Sequence, residues 1–287
     1  MTAATGLSLY DRTADRAAST VIAGYSTSFG LACRLLGRRV RTHVRVIYAL
    51  VRIADEIVDG PAAEAGLDRD ATRRAIDDLE AETLRALDEG FSANLVVHAF
   101  ARTARECGIG ADLVRPFFAS MRTDLDTREH DEASRIGYIY GSAEVVGLMC
   151  LQVFVNAGRR DRVLPDRLVR EGARRLGAAF QEINFLRDAA DDRSRLGRDY
   201  LGTSATPRAR AASLARIEQD LDAAARCIPL LPPDCRRAVA LAHALFSALA
   251  ARLATAGGDE RVRVSTPHKA LLAVRVLLLD PFTGGAS

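Results

Sequence analysis

Residues 42–61 read Thr42-His43-Val44-Arg45-Val46-Ile47-Tyr48-Ala49-Leu50-Val51-Arg52-Ile53-Ala54-Asp55-Glu56-Ile57-Val58-Asp59-Gly60-Pro61. Val46, Ile47, Leu50, Ile53, Ala54 and Ile57 return at steps of three and four, which puts them on one broad stripe of a helix and fits no strand alternation. Gly60-Pro61 stops the pattern. The spacing predicts a helix over about 42–59, and the same period recurs over about 15–36, 70–88, 92–107, 111–124, 132–157, 165–194, 208–227, 234–256 and 267–280. No fixed-period repeat and no sustained heptad interrupts it. The longest breaks, 201–207 and 257–267, are short enough to be loops inside one domain. The expected architecture is all-α, one domain over 1–287, with many helices around a common centre.

Composition agrees. Of 287 residues 48% are hydrophobic, which excludes a mostly disordered chain. Tryptophan is absent and aromatics are only 6%, so the composition favours helix over strand. Forty basic residues against 37 acidic ones give a net charge of +3, and acids accompany the arginines nearly everywhere, so nucleic acid is not an expected partner. Cys33, Cys107, Cys150, Cys227 and Cys235 are odd in number and scattered, which fits neither a disulfide framework nor a zinc ribbon and points to a reducing, cytoplasmic setting. Residues 1–20 lack the apolar core of a signal peptide. The most apolar runs, 145–155 and 271–279, are short of the roughly 20 residues that a membrane span takes. Weak peripheral membrane contact is the most that is expected, and oligomeric state is not legible.

Two acidic clusters stand out. Asp55 and Asp59 lie one turn apart, with Arg52 one turn before Asp55 and Tyr48 one turn before Arg52. A helix surface with an Arg–Asp pair would explain this cluster if it stood alone. The design returns, however, in Gln181, Asn184, Asp188 and Asp192, with Arg187 at its flank. Like charges one turn apart destabilise a helix unless a cation bridges them. Mg²⁺ suits such sites, because it binds through one or two carboxylates together with substrate phosphates. No His-Glu-x-x-His, zinc-spaced cysteine pair or calcium loop competes. Arg34, Arg38, Arg39, Arg41 and Arg45 crowd the connection before the 42–59 helix, and Arg187, Arg195 and Arg198 surround the second cluster. Solubility explains most of these. Arg45, Arg52 and Arg187 are the candidates for phosphate oxygens, because their spacing keeps them near an aspartate face.

The segments Tyr25-Ser26-Thr27-Ser28-Phe29, Tyr48 to Asp59, Gly137-Tyr138-Ile139-Tyr140-Gly141-Ser142-Ala143-Glu144-Val145-Val146-Gly147, Asn184-Phe185-Leu186-Arg187-Asp188 with Asp191-Asp192, and Gly197-Arg198-Asp199-Tyr200-Leu201 occur in the order found in squalene and phytoene synthases. The chain resembles that family over about 20–202, with a helical C-terminal part over about 208–280, and its central segment is most similar to bacterial phytoene synthases. The resemblance implies an isoprenoid synthase fold around an apolar cavity. It implies an activity too: two allylic diphosphates joined head to head through a cyclopropyl diphosphate. Phytoene synthases take two geranylgeranyl diphosphates and end by proton loss, without NADPH. Squalene and dehydrosqualene synthases take farnesyl diphosphate, and a catalytically silent helical scaffold is the non-enzyme alternative.

By the same resemblance, Asp55, Asp59, Asp188 and Asp192 hold Mg²⁺, with Mn²⁺ as a substitute. Ser26, Ser28, Arg52, Gln181, Asn184, Arg187 and Tyr200 bind the diphosphates, with Arg45 added on its spacing alone, and Tyr48 and Tyr138 lie near the reacting carbons. Tyr140 is read as a core aromatic. Two departures are visible: Leu245-Phe246 stands where relatives have Leu-Tyr, and Gly202 where they often have proline.

Overall fold

The computed structural model describes residues 6–127, 129–191, 200, 207–256, 262 and 264–279, and every regular element among them is helical. In chain order these are α1 (Gly6–Tyr25), α2 (Thr27–Arg34), α3 (Arg38–Val58), α4 (Pro61–Glu64), α5 (Arg69–Glu89), α6 (Leu95–Cys107) and α7 (Ala111–Asp126). There follow α8 (Glu132–Ile139), a π-helical turn (Tyr140–Glu144), α9 (Val145–Asn156), α10 (Arg167–Asp191), α11 (Pro207–Cys227), a 3₁₀ turn (Ile228–Leu230), α12 (Pro233–Thr255) and α13 (Thr266–Leu279).

Local chemistry sets the starts. Asp68, Asn94 and Asp131 each cap a helix by accepting from backbone N–H groups of the first turn, at 2.7, 3.1 and 2.7 Å. One expectation is corrected here. The stretch 15–36 is two helices, because Ser26 is extended (φ −138, ψ 115) and its side chain accepts from Phe29 N at 3.1 Å. A serine that caps ends one helix and begins the next. Gly60 does end α3, but Pro61 then opens the short α4, where a missing N–H costs nothing.

Helix α3 is the central element. Val40, Val44, Ile47, Leu50 and Ala54 are buried, packed against α1, α5, α6, α7 and α9. Burying each large aliphatic side chain is worth about 1.5–3 kcal/mol, so the rotation of α3 is strongly specified, and with it the direction of its polar ridge. The runs Glu132–Asn156 and Pro233–Thr255 are long and apolar enough to cross a bilayer, which the shorter sequence windows did not show. In the fold each puts residues such as Phe154, Ala238 and Ala242 on an internal cavity.

Candidate active site

One wall of an apolar cavity is formed where two helices touch backbone to backbone. A Cβ added to Gly147 on α9 would lie 2.5 Å from the Ala173 carbonyl oxygen, and one on Gly177 of α10 would lie 2.6 Å from that of Ala143. The pairings 143 with 177 and 147 with 173 make these segments antiparallel and give the cavity a wall of small residues. A third close approach seats the π-helical turn: at Gly141 a Cβ would meet Ser120 Oγ at 2.2 Å and the Pro116 carbonyl oxygen at 2.3 Å. Ser142, Ala143 and Val146 therefore face inward. The cavity runs along α10 from Val169 to Phe180, about 16 Å at 1.5 Å per residue. Among the described residues no charged side chain lines it, and Ser142 supplies the one side-chain hydroxyl.

One end of this apolar space becomes polar. On α10 the lining residues Gly177 and Phe180 are followed on the same face by Gln181, Asn184 and Asp188, all half-buried. Arg187 Nε donates to the Asp188 carboxylate at 2.9 and 3.0 Å. Glu182 turns away from this face. It is 6% exposed and accepts from Arg135 and, at 3.2 Å, from Arg216.

The ridge on α3 carries an ion pair within the helix. Arg52 forms its ion pair with Glu56 one turn on, and its guanidinium lies 4.5 Å from the Tyr25 ring centroid. Arg52 Nε is buried with no hydrogen-bond partner. Tyr48 stacks on Phe29 at 5.5 Å and hydrogen-bonds the Ser26 side chain. Burial first, and then neighbouring Asp59, push the Asp55 carboxyl well above the usual carboxylate range, against the pull of Arg52. Asp124 adds to that push. Arg45, by contrast, stands ten residues before Asp55, about 15 Å down the helix, where its charge acts on Cys33. The structure does not bring Arg45 to the aspartates.

A buried carboxylate that sequence reasoning missed lies near Asp55 and anchors an aromatic cluster that includes Phe185 of α10. Asp124, at the end of α7, is 8% exposed. Tyr138 donates to its Oδ2 at 2.8 Å and Tyr200 to its Oδ1 at 2.7 Å. Phe185 of α10 packs its ring 4.4 Å from Tyr200 and 5.8 Å from Tyr138. His130 stacks on Tyr200 at 5.5 Å. A signal was available: Asp124 follows Phe117 and Met121 at helical spacing, a charge on an otherwise apolar stripe. Tyr140 packs against the core and carries the Arg174 guanidinium 5.8 Å above its ring. Phe246 stacks on Phe180 at 3.7 Å, so the departure from tyrosine lies beside the cavity wall. Asp192 and the side chain of Ser28 lie outside the described residues.

Among the described residues no three acidic, histidine or cysteine side chains converge as a closed metal site. The donors present do suit a hard divalent cation. Asp55 and Asp59 offer carboxylate oxygens one turn apart, and their mutual repulsion in a partly buried place is the charge that such an ion would neutralise.

Comparison with known proteins places this arrangement. The squalene/phytoene synthase family matches residues 22–209. A phytoene synthase from Pseudescherichia vulneris is 31% identical over 282 residues, covering 89% of this chain and 88% of that protein. A 15-cis-phytoene synthase from a Paracoccus species is 29% identical, covering 87% and 85%. In fold, the chain superposes on a dehydrosqualene synthase with a TM-score of 0.78 at 22% identity, covering 95% of this chain and 98% of that one. A squalene synthase from Alicyclobacillus acidocaldarius gives 0.73 at 20% identity, covering 86% and 95%. With its helices, its apolar cavity and its two polar ridges in this order, the chain belongs to the squalene/phytoene synthase family, a family of prenyltransferases in isoprenoid biosynthesis.

Proposed function

We propose that this protein is a phytoene synthase, joining two geranylgeranyl diphosphates head to head and releasing both diphosphates. The observation that carries the reading is a charge-free cavity whose lining on α10 passes directly into Gln181, Asn184 and Asp188. Such a space takes a prenyl tail and leaves a diphosphate at the polar rim. The phytoene synthase relatives support the choice of the longer tail.

The reaction sequence is the one that the family resemblance implies. One substrate ionises, its carbon–oxygen electron pair leaving with the diphosphate. The allylic cation then alkylates the double bond of the second substrate to give a cyclopropyl diphosphate. Loss of the second diphosphate drives rearrangement, and proton loss ends the sequence. Arg52, with its unpartnered Nε, and Arg187 offer guanidinium donors for phosphate oxygens. Asp55, Asp59 and Asp188 would hold Mg²⁺, which supplies positive charge where the leaving group becomes anionic. Tyr138 and Tyr200 direct their hydrogens to Asp124, which with Phe185 fixes a buried aromatic cluster beside the place where the carbocation forms. The apolar wall excludes water that would quench it.

Incubating the protein with Mg²⁺ and either geranylgeranyl or farnesyl diphosphate, with and without NADPH, tests this. The expected product is phytoene from the longer substrate alone, indifferent to NADPH. Dehydrosqualene or squalene from farnesyl diphosphate would replace the reading.

A further inference from the structure

The net charge of +3 conceals a polarised molecule. The aspartate ridges occupy one end of the cavity. At the other end lie the N-terminus of α10, the C-terminus of α11, the 3₁₀ turn, and the loop after α9. Three contacts fix that grouping. A Cβ on Gly172 would lie 2.5 Å from Cys227 Cβ, the Cys227 thiol donates to the Leu168 carbonyl at 3.3 Å, and Asn156 pins the loop by donating to the Val163 carbonyl at 3.1 Å.

This pole exposes large aliphatic side chains. Leu164 is 86% exposed, Leu168 56% and Leu230 55%. Around them stand the exposed Arg159, Arg160, Arg167, Arg170 and Arg226, none in an ion pair among the described residues. The exposed acids of the same loop and helix start are Asp161 and Asp166, which these arginines outnumber; Asp166 also accepts from Leu168 N at 2.7 Å. The exposed leucines also continue the cavity lining. Val169 lines the cavity beside exposed Leu168, and Ile228 and Leu231 line it on either side of exposed Leu230.

We infer that this pole docks on an anionic lipid bilayer, with Leu164, Leu168 and Leu230 entering the headgroup–acyl boundary and the arginines pairing with lipid phosphates. Arginines beside exposed leucines match the two halves of such an interface, apolar insertion and electrostatic attraction, each marginal without the other. Single exposed leucines are ordinary, but Leu164, Leu168 and Leu230 gather at one pole among arginines, and a grouped apolar patch marks an interaction surface. The inference rests on the proposed function for its purpose, since it sets the apolar end of the cavity against the phase in which prenyl chains and hydrocarbons dissolve.

Flotation with vesicles of phosphatidylcholine alone, or with roughly a third phosphatidylglycerol, tests it on the whole protein without substrate. Expected are binding about tenfold stronger to the anionic vesicles, weakening with salt, and loss of about tenfold or more in Leu164→Ser/Leu168→Ser and in Arg159→Glu/Arg160→Glu. Circular dichroism checks that these surface variants fold, and their turnover in detergent micelles is expected to equal that of the unaltered protein. Equal flotation of all three proteins, or equal binding to both vesicle types, overturns the inference. So does a dimer in vesicle-free sedimentation that the leucine substitutions dissociate, because the face is then covered by a second copy. Failure of the unaltered protein to turn over any prenyl diphosphate would strike the proposed function and leave the flotation result standing.

Discussion

Replacing Asp124 by asparagine keeps the shape of the side chain and removes the charge that receives Tyr138 and Tyr200 at 2.8 and 2.7 Å. A hydrogen bond to a charged group is worth about 1.5–3 kcal/mol and a neutral one about 0.5–1.5, so two such changes cost about 2 kcal/mol together. The amide also turns one donor toward a phenol that was itself donating. Relief of the repulsion between Asp124 and Asp55 offsets part of this. For a chain of this size the net loss lowers Tm by about 2–3 °C. Because the three side chains act as one unit, the decisive assay is a double-mutant cycle in urea between Asp124→Asn and Tyr138→Phe. Coupling of about 1 kcal/mol is expected, with kcat falling more than KM rises, since the phenol is displaced while the cavity is intact. Additivity within about 0.5 kcal/mol, or an unchanged kcat, would refute the account of Asp124 as the anchor of the aromatic cluster.

Three further outcomes are expected. Asp55→Asn removes a repelled, partly buried charge, so it should raise Tm in metal-free buffer while lowering product formation by orders of magnitude; full activity would remove Asp55 from the site. Gly141→Ala places a methyl within 2.3 Å of the Pro116 carbonyl oxygen and should cost about 1–3 kcal/mol in thermal melts, with an unchanged Tm contradicting the close approach. Burial holds His243 below its ordinary value of 6.5, and its Nε2 is 3.0 Å from the Leu221 carbonyl oxygen. The unfolded chain therefore binds this proton more readily, and the stabilisation is fully present above 6.5 and lost as pH falls through that value toward the folded one. The stability gap between the unaltered protein and His243→Gln should narrow from about pH 7.5 to about 5.5, and a constant gap would show that His243 does not titrate on unfolding.

Much of the site was legible because helical periodicity is local. The stripe through Val46, Ile47 and Leu50 announced α3, and the same arithmetic put Tyr48, Arg52, Asp55 and Asp59 on one ridge and Gln181, Asn184 and Asp188 on another. Resemblance then supplied Ser26, Tyr138 and Tyr200, whose isolated positions carry no periodic signal. Where local rules compete, the sequence alone did not decide. Arg52 lies within reach of both Asp55 three residues on and Glu56 four residues on, which local spacing does not separate, and it pairs with Glu56. The helix expected over 15–36 broke at Ser26 because a side-chain cap outweighed continuity there.

By itself, then, the amino-acid sequence determined the helices, their apolar faces and the order of the acidic motifs, since each depends on neighbours within one or two turns. Tertiary structure alone decided which faces meet. Tyr200 finds Asp124 across 76 residues, Gly177 admits the Ala143 carbonyl, and arginines from separate segments gather beside Leu164 and Leu168 at one pole of a nearly neutral chain. Such meetings are set by helix crossings, and a crossing depends on the packing of whole side-chain surfaces, which no local window of sequence contains.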